Sequence, residues 1–167
     1  MTKLFNCLWF ETEAEEAARF YASVFRDAKL GPVIRAPAGG EPHTTEGKVL
    51  TAEVTIAGHT LVCLNGGPHP GGQPNDAVSL YVLCADQAQV DEYWSKLTAD
   101  GGKEIQCGWL QDKYGFRWQI VPQIMHDLLQ DPDRGKAGRA MKAMMQMVKL
   151  DVAAIEAAAR GAQASAA

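Results

Sequence analysis

The chain reads as an α+β protein made of two βαβββ modules followed by a C-terminal helical extension. Three observations lead there. A strand-helix pair near the start, "LFNCLWF" with "EAEEAARFYASVF", returns as "AVSLYVL" followed by a second apolar helical stripe. A Gly- and Pro-rich connection, "NGGPHPGGQPND" at 65–76, can continue neither a helix nor a central strand and separates two series of strands. After residue 123 strand composition gives way to Ala- and Met-rich helical spacing. The expected organisation is a first module over 1–65, a connection over 66–76, a second module over 77–123 and a helical tail over 124–167, all within one structural domain.

Residues 4–10 have strand composition. Residues 13–25 place Ala14, Ala17, Ala18, Tyr21, Val24 and Phe25 at helical spacing, and Thr12 with Glu15 resembles a capping box. Strands follow at 28–36, 48–56 and 59–65, the last two joined by a hairpin around Ala57 and Gly58. In the second module a strand spans 77–83 and Asp86 can cap a helix striped by Val90, Tyr93, Trp94 and Leu97. Strands at 103–110 and 116–121 complete it, with a turn near Tyr114 and Gly115 and a stop at Pro122. One constant offset places Phe5, Cys7 and Trp9 on Val78, Leu80 and Val82, and Phe20 and Tyr21 on Tyr93 and Trp94. In the tail, Asp131-Pro132 opens a helix carrying Met141, Met144, Met145 and Val148 on one stripe, which covers the core or a subunit partner. Asp151 caps a last helix ending near Gly161, and "AQASAA" frays.

Composition narrows the function. A net charge of −4 offers no general attraction to nucleic-acid backbones, and the basic stretch at 132–150 lacks interleaved aromatic residues, so it reads as a solvated helix face. There is no apolar run of about 18 residues for a membrane span and no secretory pattern at the start, so a cytoplasmic protein is expected. Cys7, Cys63, Cys84 and Cys107 form no CxxC pair, and each reads as a small buried hydrophobe.

Neither module alone can cover its sheet on both faces, so the two are expected to pair around a shared apolar cavity. Alternation along the strands selects what lines it. If Phe5, Cys7 and Trp9 touch the helix, then Asn6 and Leu8 face the cavity, Cys63 and Asn65 share a side, Ser79 and Tyr81 point inward, and Gln119 does so with Arg117 and Val121. Trp109 and Trp118 divide between ligand stacking and core packing. The ligand-binding candidates are therefore Asn6, Leu8, Cys63, Asn65, Ser79, Tyr81, Trp109 and Gln119. Glu53, the one acid on a central strand, is the catalytic candidate if it points inward, and a surface group if it does not.

The pieces "LWFETEAEEAARFYASVF", "LNGGPH", "CGWLQDKYGFRWQIVP" and "MMQMVKLDVAAIEAA" resemble the vicinal oxygen chelate superfamily, and within it the PhnB-like branch labelled 3-demethylubiquinone-9 3-methyltransferase. The superfamily includes glyoxalases, extradiol dioxygenases and antibiotic-resistance proteins, and the resemblance implies the glyoxalase/bleomycin resistance/dioxygenase fold. In its metal-using members four side chains hold one divalent ion. Those positions fall here on Asn6, on Cys63 or Val62, on Ser79 and on Gln119, and none is a carboxylate or imidazole. His43, His59, His69 and His126 are scattered in loops, a hairpin turn and beyond the last strand, and restore no ligand set. The expectation is a homodimer binding a small organic molecule with no metal or other cofactor. A lyase, isomerase or dioxygenase-type enzyme with Glu53 as base and Gln119 and Asn6 polarising an oxygen is the alternative. Methyl transfer is disfavoured because no glycine pair leads from a strand into a helix.

Overall fold

The computed structural model describes residues 1–39, 44–68, 71 and 74–161, in two compact units, Met1–Gln73 and Pro74–Ala167. The boundary falls inside the Gly/Pro-rich connection, and the tail belongs to the second unit. The readings for His43 and His69, for part of that connection and for the terminal "AQASAA" lie outside the described residues.

The first unit runs β1 (Asn6–Phe10), α1 (Ala14–Val24), β2 (Lys29–Arg35), β3 (Val49–Ile56) and β4 (His59–Asn65). Its sheet has the order β1-β4-β3-β2, with β1 parallel to β4 and the other pairs antiparallel. The helix buries Ala14, Ala17, Ala18, Tyr21 and Val24; the sheet face beneath it buries Leu8, Phe10, Ala52, Val54, Leu61 and Cys63. Pro32 sits in the edge strand β2, where a missing amide donor is tolerated, and the pairing with β3 shifts between Leu30 and Val33 around it. The β3–β4 hairpin turns through Ala57 (φ 49°) and Gly58 (φ 80°), two left-handed residues in succession, as a tight two-residue turn requires.

The second unit runs β5 (Leu80–Cys84), α2 (Gln87–Thr98), β6 (Lys103–Glu104), β7 (Trp109–Gln111) and β8 (Arg117–Pro122), then α3 (Gln123–Leu129), α4 (Arg134–Met144) and α5 (Val152–Arg160). Its sheet repeats the first in form, β5-β8-β7-β6, with β5 parallel to β8. Asp86 caps α2 as the sequence implies, its Oδ1 accepting the Gln89 amide at 2.8 Å, and Asp151 caps α5 through the Ala154 amide at 2.8 Å.

Two local expectations are corrected. The helix start at α1 is not a capping box: Glu13 is the cap residue, and the Ala14 amide is met by Asn65 Oδ1 from the end of β4 at 2.8 Å. The single strand expected over 103–110 is two short strands, because Cys107 (φ 60°) and Gly108 (φ 81°) turn their amides away from the ladder to the carbonyls of Met147 and Val148, at 2.8 and 2.9 Å. A Cβ at position 108 would lie 3.0 Å from the Ile120 carbonyl and from the Leu150 side chain, so only glycine fits that approach. The segment after Pro122 is α3, the first helix of the expected tail; a proline that ends a strand also suits a helix start, since neither role needs its amide.

The tail has its own core of Val121, Met125, Leu128, Ala140, Leu150, Ile155 and Ala159, with Ile124, Met144 and Met147 packed against it. Of the predicted methionine stripe only Met144 joins this core, while Met141, Met145 and Val148 are exposed. Several basic residues of this segment serve the fold. Lys136 pairs with Asp131, Lys149 with Asp91, and Arg139 donates to the Ala158 and Ala159 carbonyls at the end of α5, where the helix dipole favours a cation. No helix among the described residues is long and apolar enough to cross a membrane.

Candidate functional site

Each sheet has one face under its helix and one open face, and the strand registers assign every side chain to one or the other. In the second unit the open face is built in rungs. Arg117 and Gln111 form the first, with Ser79 just ahead of β5; Tyr81, Gln119 and Trp109 form the second; Leu83 follows, while Val121 opposite it is buried in the core of the tail. The face therefore runs from cationic and amide groups, through two aromatic rings flanking an amide, to aliphatic surface.

Hydrogen bonds hold the polar end in place. Gln119 Nε2 donates to Ser79 Oγ at 2.8 Å, which fixes the amide plane and leaves its carbonyl oxygen for another donor. Arg117 donates from Nε to Asp76 and from Nη1 to Gln111 Oε1 and to the Gly115 carbonyl, both at 2.7 Å, so its guanidinium is held rather than waving in solvent. Partial burial of Tyr81 raises its hydroxyl above the ordinary tyrosine range, which makes it a neutral donor and acceptor. Trp118 lies on the opposite face, buried, with Nε1 on Asp112 Oδ2 at 2.8 Å, so the two tryptophans divide between the faces as alternation requires.

In the first unit the face assignment read from the sequence is one residue out. Leu8, Phe10 and Cys63 are buried on the helix side, and the register puts Asn6 and Asn65 on that side with them. The open face instead carries Cys7 and Trp9 from β1, Val62 and Leu64 from β4, and Thr51, Glu53 and Thr55 from β3. The physical reason lies in the β1–α1 loop. Three residues (Glu11 to Glu13) separate strand and helix in the first unit, but two (Ala85 and Asp86) do so in the second. The offset that aligns the helices, Tyr21 on Trp94 and Val24 on Leu97, therefore misplaces the strands by one residue, and a one-residue slip moves every side chain to the other face.

The eight ligand-binding candidates thus separate. Ser79, Tyr81, Trp109 and Gln119 come together on the open face of the second sheet. Asn6, Leu8, Cys63 and Asn65 share the helix side of the first. There Asn65 is occupied at both ends of its amide, capping Ala14 and donating to the Val49 carbonyl at 3.0 Å, and Asn6 Oδ1 is within 2.8 Å of His59 Nε2. Glu53 points to the open face, half-buried, and lies over Gly31: a Cβ there would come within 2.8 Å of the Glu53 Cβ. Trp9, which the sequence reading turned toward the helix, lies over Gly66 and donates from Nε1 to the Gly67 carbonyl at 2.9 Å. Arg117 and Gln111 were readable from the same alternation that selected Gln119; Trp9 and Cys7 required the strand offset to be separated from the helix offset.

The groups at the four superfamily ligand positions do not fit a divalent ion. Gln119 and Ser79 are bonded to each other, Asn6 is bonded to His59, and Cys63 is fully buried on the helix side. The open-face neighbours Cys7 and Val62 do no better, since an alkyl group cannot ligate and partial burial raises the Cys7 thiol above its ordinary range although the residue as a whole is exposed. Among the described residues no three His, Cys, Asp or Glu side chains converge as a metal cluster. Cys84 is pushed up to about 12, first by burial and then by the Asp86 carboxylate, so it packs as a small hydrophobe.

Residues 2–121 match the model of the family described as 3-demethylubiquinone-9 3-methyltransferase. No curated protein matches the chain. Among solved structures it is similar to the PhnB protein from Bacillus cereus, at 31% identity over 72% of this chain and 99% of that one, with a TM-score of 0.63. It is also similar in fold to protein PA1353 from Pseudomonas aeruginosa, at 16% identity over 73% of this chain and 98% of that one, with a TM-score of 0.58. A glyoxalase/bleomycin resistance protein from Albidiferax ferrireducens T118 aligns at 13% identity over 71% and 95% of the two chains, with a TM-score of 0.46. The family match begins before β1 and ends within β8, so it spans both βαβββ modules and leaves α3 to α5 as an addition. On that match and the 31% identity to the PhnB protein, this chain belongs to the PhnB-like family described as 3-demethylubiquinone-9 3-methyltransferase.

Proposed function

We propose that this chain binds a small, flat, largely apolar organic molecule carrying a hydrogen-bonding oxygen or nitrogen, against the uncovered face of its second sheet and without the divalent ion of its metal-using relatives. The observation that carries this reading is the rung Tyr81–Gln119–Trp109, an oriented amide between two aromatic rings. Rings give contact area at small entropic cost, and the amide selects ligands with a matching donor. Arg117 at the polar end favours an electron-rich or anionic substituent, and the exposed Leu83 takes the apolar end.

Methyl transfer is not part of this reading. The connections from β1 to α1 and from β5 to α2, residues 11–13 and 85–86, contain no glycine, and both sheets are mixed rather than open parallel ones, so the glycine-rich turn that cradles a nucleotide-like cofactor is missing from those two places. One observation keeps an enzymatic reading in view: Glu53 is a carboxylate on the open face of a central strand in the first unit. Glu53→Gln should then abolish turnover of a substrate while binding persists, and unchanged turnover removes Glu53 as a base. We also propose a homodimer, supported by exposed apolar groups along the edge strand β2, namely Leu30, Val33 and Ile34. Sedimentation at micromolar concentration tests it, and a monomer there rejects it.

The binding reading is tested by screening flat aromatic acids and amides by tryptophan fluorescence and ligand-observed NMR. Hits should lose about tenfold or more in affinity with Gln119→Ala and again with Trp109→Ala, the size of one buried hydrogen bond or one stacked ring. Hits indifferent to both substitutions, or one tightly held transition-metal ion per chain by elemental analysis, would overturn it.

A further inference from the structure

The first unit contains a pocket of about 530 Å³ lined mostly by polar residues, within the range of small-ligand sites and sharing only Val49, Asn65 and Gly67 with the contacts described above. One wall is the β1–α1 loop, which contributes Glu11 and Thr12; the other is the end of β2 and the residues leading into β3, which contribute Arg35, Thr44, Thr45 and Lys48. Among the described residues its lining has two cations against one carboxylate, in a chain whose total is −4.

Backbone bonds hold the described part of that wall. Ala36 donates its amide to the Lys48 carbonyl at 2.8 Å, Gly47 to Ala36 at 2.9 Å, and Lys48 to Thr45 at 3.1 Å. Arg35 spends one Nη1 bond on the Gly47 carbonyl at 3.1 Å, which orients the guanidinium while its other donors stay available for a planar oxyanion. Threonine hydroxyls can donate to the same group. Asn65, also on the lining, is already committed to Ala14 and Val49 and serves as wall rather than contact.

We propose that this pocket is a binding site for a small organic anion, a carboxylate or phosphate monoester held by Arg35 and Lys48, that also carries a hydroxyl or ammonium group donating to Glu11. The separation of the signs onto two walls sets the orientation. An anion alone meets attraction from Arg35 and Lys48 and repulsion from Glu11, whereas a molecule with a donor opposite its anionic group satisfies both.

The test is amide NMR of the full-length chain titrated with inorganic phosphate and with O-phosphoserine, against sodium chloride at matched ionic strength. Saturable shifts at Arg35, Thr44, Thr45 and Lys48 are expected with both probes. Arg35→Gln and Lys48→Gln should each weaken both probes about tenfold, as loss of one charge-assisted hydrogen bond implies. Glu11→Gln should tighten inorganic phosphate and weaken O-phosphoserine. Shifts reproduced by sodium chloride, affinities unchanged in Lys48→Gln, whose exposed side chain is not needed for folding, or a Glu11→Gln effect of the same sign on both probes would overturn the proposal.

Discussion

In the first unit the amide that opens α1 is met by Asn65, fifty-one residues away, while in the second the Gln89 amide is met by Asp86 three residues before it. The hairpins that close the two sheets differ in the same spirit. The β3–β4 turn is two left-handed residues with their backbone bonds, whereas the β7–β8 turn is gathered around the buried carboxylate of Asp112. One strand order is thus supported in two ways, by a long-range tie at the helix in one unit and by a buried acid and an added helical tail in the other. Repeated topology fixes where elements go; it leaves open which side chains hold them.

The largest effect should come from the element that has no counterpart in the first unit. Asp112 is fully buried, with Oδ1 accepting the amides of Tyr114 at 2.9 Å and Phe116 at 3.0 Å and Oδ2 accepting Trp118 Nε1. Asp112→Ala strands those buried donors and should cost about 4 kcal/mol, at a rate of roughly 1–3 kcal/mol per unsatisfied group. Urea unfolding checks it. A loss under about 1 kcal/mol would mean that the two hairpins are supported alike after all.

The helix caps give a smaller and more discriminating pair. Asn65→Ala and Asp86→Ala each remove one capping acceptor, worth about 1 kcal/mol and up to about 2. Asn65 also donates to Val49, so its removal should be the costlier of the two and should raise hydrogen exchange in β3 as well as in α1. Asp86→Ala should loosen the first turn of α2 and leave β5 and β8 unchanged. Equal exchange patterns in the two variants would erase the distinction between a local and a long-range cap.

The same contrast explains what could be read in advance. Both helix stripes, the Asp86 and Asp151 caps and the open-face set of the second sheet follow from short-range periodicity and appear as expected. The Asn65 cap is invisible to such reasoning because its partner lies far along the chain. The face of β1 was misread because one loop is a residue longer than its counterpart, a difference that leaves helix periodicity intact and inverts a strand. Nor could composition reveal that Cys107 and Gly108 leave the ladder, since the carbonyls that draw them away belong to the tail, about forty residues later. Gln119 and Ser79 were found by alternation, but their mutual hydrogen bond, which bears directly on whether a metal could sit there, needed coordinates.

The weakest tie, and the one that tests how firmly the tail belongs to the second sheet-helix layer, is Lys149 with Asp91 on α2, at 2.5 Å. The hydrogen bonds from Lys149 and then Gln87 hold the Asp91 carboxyl below its usual 3.8. A carboxylate depressed by folding adds stability that is present above its unfolded pKa, and that stability is lost as the pH falls through the lower folded value. The loss therefore belongs below pH 3.8, not near neutrality. Both side chains are more than 40% exposed, so solvent screening limits the pair to about 0.5 kcal/mol or less. Lys149→Ala should lower stability by that amount near neutral pH in low salt, and the difference from wild type should vanish in high salt and below the folded pKa of Asp91. Because Gln87 still donates to Asp91 at 3.0 Å, Asp91→Asn combined with Lys149→Ala separates the two terms in a double-mutant cycle. A coupling well above 1 kcal/mol would show that this exposed pair, rather than the Leu150 and Ile155 core, fastens the tail to α2.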